Sequence, residues 1–186
     1  VISLSISRIM ALKSLLALFL VGFANSLLTN QELACDDGWL RLFSSCYYFE
    51  ENRMTFAKAE ANCLAKGGKL FVPETAIEWK EVVKRAGVDY WSWVGMKRDG
   101  LYMPRWRGNG GVNVAELDWL VNPGSLAANG WTSATQCLAH YNSGFSQYSF
   151  FYYCEMAYNS ICKKRAAIPS GGIPELLIDT DDLLTK

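Results

Sequence analysis

The side chains of this chain that could do chemistry fall into three groups: six cysteines between Cys35 and Cys162, a single histidine at His140, and a strip of cations, Lys97, Arg98, Arg105 and Arg107, interleaved with Tyr102 and Trp106. An even number of cysteines suits disulfides. No pair has the Cys-x-x-Cys spacing of a zinc knuckle or a thioredoxin-like site. Spacing alone does not choose the partners. His140 is the only side chain whose ordinary pKa lies near neutrality, bridged cysteines leave no thiol nucleophile, and no serine stands in a nucleophile-elbow motif. The inventory points away from catalysis, and no catalytic residue, metal or cofactor is expected. The cationic strip could hold sulfated or carboxylated glycans through charge-assisted hydrogen bonds while an aromatic ring stacks on sugar. The competing reading is a solvated turn flanked by core aromatics.

Two helices would position these groups. The first is expected from an N-cap at Thr55 to Gly67, with Phe56, Ala59 and Cys63 on one face, which turns Cys63 toward the core. The second opens on a capping box, Thr75 with Glu78, and carries Trp79, Val82, Val83 and Ala86 inward before Gly87. Strand patterns cover Trp39–Leu42, Cys46–Phe49, Trp91–Met96, Leu101–Trp106, Cys137–Tyr141, Tyr148–Cys154 and Ser160–Lys163. Asp99-Gly100 is a hairpin turn signal between the third and fourth of these. Two early helices followed by strands read as α+β. Residues 107–136 are rich in glycine and asparagine and follow neither period, as expected of a long functional or disordered loop. In the aromatic run Tyr148, Phe150, Phe151, Tyr152 and Tyr153, alternation splits the rings between two faces. One set belongs to the core. The other either packs on a disulfide or forms an exposed patch beside Trp119 and Trp131.

The class follows from composition. With 186 residues there is room for one domain; 51% apolar content is too high for disorder, and a formal net charge of zero lacks the footprint of a nucleic-acid binder. Leu15 to Phe23 reads LLALFLVGF, preceded by Lys13 and followed by the small residues Ala24 and Ser26. This is the pattern of a secretory signal, and it is too short to cross a bilayer. The expected organisation is residues 1–9 as translated upstream sequence, 10–26 as signal, 27–34 as spacer, 35–164 as the folded domain and 165–186 as a flexible acidic tail. Secretion places the cysteines where disulfides persist, so three bridges are expected.

An ordered set of residues then resembles the C-type lectin-like domain in its long form. Cys35-Asp-Asp-Gly-Trp39 leads to Cys46-Tyr-Tyr-Phe49; Thr55 to Cys63 is the first helix; Trp93-Val-Gly-Met96 stands where the family has Trp-Ile-Gly-Leu; Cys137, Cys154 and Ile161-Cys162-Lys163 close the domain. The resemblance implies two helices with small antiparallel sheets and a long loop, and disulfides Cys35 with Cys46, Cys63 with Cys162, and Cys137 with Cys154. Family members that bind sugar through calcium use acids and amides at three places. Here those places read Asn122-Pro123-Gly124, Thr135-Gln136 and Ser149-Phe150-Phe151, and no Asp or Glu lies between Asn142 and Tyr153. A calcium site is therefore not expected.

The implied protein is secreted and extracellular, does not span a membrane, and binds a glycan, sulfated or not, or an extracellular protein without calcium. Its ligand-binding residues are expected among Arg105, Trp106, Arg107, Trp119, Asn122, Trp131, Tyr148 and Phe151. The alternative is a structural matrix protein that meets a mineral surface through its glycine-rich loop and the acids Asp179, Asp181 and Asp182.

Overall fold

A computed structural model describes residues 32–98, 103–108, 110–122 and 125–168. The regions expected to be upstream sequence, signal and most of the tail, including Asp179, Asp181 and Asp182, lie outside the described residues, as do Asp99-Gly100, Tyr102 and Pro123-Gly124.

Eleven elements follow in order among the described residues: β1 (Leu40–Leu42), β2 (Ser45–Met54), α1 (Phe56–Ala65), β3 (Lys69–Leu70), α2 (Ala76–Val83), β4 (Tyr90–Arg98), β5 (Pro104–Trp106), a short 3₁₀ turn (Val114–Glu116), β6 (Cys137–Asn142), β7 (Gln147–Tyr152) and β8 (Tyr158–Arg165). The class is α+β. The strands join one sheet in the order β1-β2-β8-β4-β6-β7, with β3 on β8 and β5 on β4. Most pairings are antiparallel, but β4 and β8 run parallel at Ser92–Trp93 and Asn159–Ser160. That contact joins into one sheet the small sheets that the resemblance implied.

Local chemistry explains both helix starts. The Thr55 hydroxyl accepts from the Lys58 amide, and the Thr75 hydroxyl accepts from the Glu78 amide at 3.0 Å. The expected capping box is only half formed. The Glu78 carboxylate accepts from the Glu74 amide instead, and from the Tyr47 hydroxyl. α2 stops at Val83, short of the expected Ala86, although Ala86 is still buried. The inward residues of α1 are Phe56, Ala59 and Cys63, as their spacing requires.

The core lies on both faces of the sheet. On one side Tyr47, Phe71, Trp79, Val94, Leu138, Phe151 and Ile161 pack together; on the other α1 covers Trp93 through Phe56 and Cys63. Disulfides join Cys35 to Cys46, Cys63 to Cys162 and Cys137 to Cys154, leaving no free cysteine. Cys63–Cys162 ties α1 to β8. At the base of the domain Ala34 and Ala167 exchange backbone hydrogen bonds of 2.8 and 3.2 Å.

The long loop docks on β7. Ser149 donates its amide to Asp118 and Phe151 donates its amide to Asn129. Asn129 is completely buried and ties the loop to itself, accepting from the Val121 amide and donating to the Val121 and Ser125 carbonyls. Gly130, at φ +85°, makes this docking possible, since a Cβ there would lie 2.2 Å from the Phe150 ring.

Candidate functional site

β5 is short, and its position decides where the expected cations go. It pairs with β4 through Met96–Trp106, Lys97–Arg105 and Arg98–Pro104, so the hairpin forms, with five residues between the strands. Trp106 donates its indole N–H to the Val112 carbonyl at 2.9 Å and lies against Gly111 so closely that a Cβ there would sit 1.9 Å from the ring. This fixes Trp106 half-buried, with Arg105 and Arg107 exposed on either side.

Arg105, Trp106 and Arg107 line a groove built from distant parts of the chain. One cavity of about 370 Å³ is bordered by Lys69, Lys97, Arg105, Trp106 and Arg107, with Glu60 and Leu64 from α1. A second of about 330 Å³ shares Lys69, Leu70, Arg107 and Gly108 and extends to Glu74, Lys163, Lys164 and Arg165. Seven cations and two carboxylates line the two together. In a chain with formal net charge zero, this is a marked segregation of sign.

Partners within the protein hold several of these side chains in place. Arg107 Nε meets Glu60 Oε1 at 3.0 Å, and Lys163 Nζ meets Glu74 Oε1 at 2.9 Å and the buried Glu78 carboxylate. The hydrogen bond and charge of Lys163 hold the Glu74 carboxyl below its ordinary range. Lys164 pairs with Asp36 and stands 4.0 Å from the Trp39 ring centre. Lys97 lies 5.6 Å from the Phe56 ring centre. Trp106 offers apolar surface within a cationic trough, an arrangement suited to a polyanion with stackable rings.

The remaining expected residues are scattered. Phe151 is fully buried and Trp119 is 4% exposed, their rings stacked at 6.0 Å, so both belong to the core and the expectation of a surface role is corrected. Strand alternation explains Phe151: it sits on the face of β7 that the long loop covers. Trp131 is half-buried, with the Arg98 guanidinium 6.0 Å from its ring centre. Arg98 thus leaves the cationic strip for the loop. Asn122 is exposed and donates to the Trp119 carbonyl at 3.4 Å. Tyr148 joins a separate half-buried aromatic face, in register with Tyr141 and through it Trp91, with ring centres 5.4 and 4.8 Å apart. On that face burial, reinforced by Tyr158 and Tyr148, pushes the Tyr152 hydroxyl up to about 12.

The positions compared with calcium ligands are otherwise engaged. Thr135 donates to the Gly130 carbonyl, Gln136 to the Ser133 carbonyl, and Ser149 is buried against His140. His140 itself is enclosed, its ring edge-on to Trp79, and burial pushes its pKa down to about 3. It has no surface to offer a substrate.

The profile of the Lectin C-type domain matches residues 52–164. The chain belongs to the C-type lectin domain family. C-type lectin domain-containing protein 87 of Caenorhabditis briggsae is 38% identical over 148 residues, covering 75% of this chain and 64% of that protein. C-type lectin domain-containing protein 91 of Caenorhabditis elegans is also 38% identical, with 66% of its length covered. The chain thus spans just under two thirds of these curated relatives. Among solved structures, the C-type lectin domain of murine dendritic cell inhibitory receptor 2, in complex with an N-glycan, superposes with a TM-score of 0.61 at 16% identity, covering 71% of this chain and 99% of that domain. A calcium-independent type II antifreeze protein superposes with a TM-score of 0.59 at 23% identity, covering 75% of this chain and all of that one. Both establish the C-type lectin fold here. Among the described residues no helix is long and apolar enough to cross a membrane.

Of the expected residues, Arg105, Trp106 and Arg107 line the groove; Lys69 and the β8 run Lys163-Lys164-Arg165, which line it too, were not among them. Their signal was a basic tripeptide at the closing cysteine. Only the β3–β8 pairing, Lys69 with Lys163, brings them to the same groove.

Proposed function

We propose that this C-type lectin domain is an extracellular recognition module that binds an acidic glycan in the basic groove without calcium. The observation that carries this is the gathering of seven cations, from β3, β4, β5 with its exit, and β8, around two contiguous cavities with Trp106 in the wall. Charge-assisted hydrogen bonds from guanidinium and ammonium groups would meet sulfate or carboxylate groups directly, with no bridging cation needed. The engaged side chains at Thr135, Gln136 and Ser149 support the calcium-independent part, and the antifreeze neighbour described as calcium-independent carries the same fold. The enclosed His140 supports recognition rather than catalysis. The acids on which the mineral reading rests, Asp179, Asp181 and Asp182, lie outside the described residues.

Titration calorimetry with a heparin-derived oligosaccharide, in chelator and again in calcium, tests this reading. Binding is expected to be equal in both, to weaken as salt rises, and to fall at least tenfold when Lys69 and Arg107 are both changed to glutamate. Binding that requires calcium, or that survives the double charge reversal, refutes it.

A further inference from the structure

The hairpin that joins β6 to β7 turns through Gly144 and Phe145, between Ser143 and Ser146. Gly144 takes φ +79° and Phe145 a negative φ, the pattern of a two-residue turn that needs glycine first. Its polar groups are tied down. The Ser143 amide donates to the Ser146 carbonyl at 2.9 Å, the Ser146 amide to the Ser143 hydroxyl at 2.8 Å, and the Gly144 amide to the Asn142 side-chain oxygen at 2.9 Å. Asn142, 1% exposed, donates its amide to the Ala86 carbonyl at 2.8 Å, and its own carbonyl accepts from the Asp89 amide at 2.6 Å. The turn is thereby bolted to the connection between α2 and β4.

A turn of this kind ordinarily carries polar or small residues, yet Phe145 stands at its outermost point and is fully exposed. A lone exposed ring would need no explanation, but this one heads a graded surface. Val88, 53% exposed, lies beside it, since a Cβ on Gly144 would sit 3.4 Å from Val88 Cγ1. From Asn142 to Tyr153 the hairpin has no charged residue. One rung behind the turn, where Tyr90 pairs with Asn142, one charge of each sign is placed: the Arg53 guanidinium 4.9 Å from the Tyr90 ring centre, and the Asp89 carboxylate accepting from the Tyr141 hydroxyl at 3.5 Å. The next rung is aromatic, with Trp91, Tyr141 and Tyr148 in register and half-buried.

We propose that this hairpin docks on a zwitterionic phospholipid bilayer, Phe145 and Val88 entering the acyl region. The order along the hairpin matches that of a bilayer seen from within: an apolar apex, then balanced charge, then rings with one apolar and one wet end, which favour the headgroup level. Arg53 suits a lipid phosphate and Asp89 the choline ammonium. A pocket on a protein would take Phe145 alone and has no use for the layers on both faces behind it. The inference does not depend on acidic-glycan binding in the groove.

The test is co-sedimentation of the domain with sucrose-loaded phosphatidylcholine vesicles. Half of the protein is expected to sediment at about 1 mM accessible lipid, weaker than a single acyl chain would give. Phe145→Ser, which loses one buried ring, should weaken this at least tenfold with an unchanged melting temperature, and Val88→Ser should weaken it several-fold. Phe145→Trp should bind as well as the wild type, and lipid brominated on its acyl chains should quench the added indole emission. Lys69→Glu with Arg107→Glu should leave binding unchanged, which separates this surface from the groove. No sedimentation at about 10 mM lipid overturns the proposal and leaves Phe145 to a protein partner. Binding that Phe145→Ser does not weaken overturns it, as does binding that appears only with anionic lipid.

Discussion

Replacing His140 with phenylalanine isolates one titration that the stability of this domain should follow. His140 is completely buried on β6, its ring 5.3 Å from and edge-on to Trp79, with Nδ1 3.3 Å from the Ser149 hydroxyl and Nε2 without a partner among the described residues. The nearby charges are on groups already engaged: Asp118 accepts from the Trp79 indole at 3.2 Å, and Glu78, on the same helix as Trp79, faces Tyr47 and Lys163. Burial pushes the His140 pKa from 6.5 down to about 3. The unfolded chain therefore takes up a proton near pH 6.5 that the native state refuses until about pH 3. Stability is whole above the higher value and falls as pH drops between the two. The slope is about 1.4 kcal/mol per pH unit, so acidifying from about pH 7 to about pH 5 should cost ~2 kcal/mol through this residue alone. Glu74 and Glu81, whose carboxyls are held below 4.5 by Lys163 and Arg85, lose their contributions only at lower pH, which leaves this window to the histidine. Urea unfolding of the wild type and of His140→Phe across the window measures the slope. Any packing cost of the larger ring is independent of pH and does not enter it. Equal slopes in the two proteins would refute the reasoning.

Removing the Cys63–Cys162 bridge by a double alanine substitution opens a loop of sequence separation 99 and should cost about 4 to 5 kcal/mol in the chain-entropy account; a loss under about 1 kcal/mol in urea unfolding contradicts it. Glu78→Gln leaves Lys163, whose side chain is 12% exposed, without its buried partner, and an unfolding free energy lowered by about 3 kcal/mol is expected. An unchanged midpoint would mean that Glu74 alone suffices. Glu74→Gln, by contrast, removes an exposed partner, so stability should move by less than about 1 kcal/mol while calorimetric affinity for a heparin-derived oligosaccharide rises. Weaker binding in that variant would place the ligand outside the groove.

The elements most legible in the sequence were those whose cause is local. Thr55, Phe56, Ala59 and Cys63 encode α1 through a cap and a period, and they fold as read. The capping box at Thr75 and Glu78 was half right, because the buried carboxylate, held by Tyr47 and Lys163, accepts from the Glu74 amide rather than from that of Thr75. β3 escaped notice because two residues carry no period; the strand exists only through its pairing with β8. The aromatic alternation of β7 was legible, but which face was covered was not. That depended on the long loop docking through Asn129, a residue whose composition reads as loop and whose side chain does the work of a turn. The groove had the same character: Arg105 to Arg107 could be seen as a strip, whereas the opposite bank needed the sheet.

The bridge between Ala34 and Ala167 has a consequence for architecture beyond this domain. The incoming and outgoing strands of chain meet side by side, so the fold behaves as a loop of rope cinched at its neck. A host polypeptide could carry it at a surface turn without being stretched. Cutting the chain at a distal loop while tying the neck shut therefore offers a natural route to circular permutants.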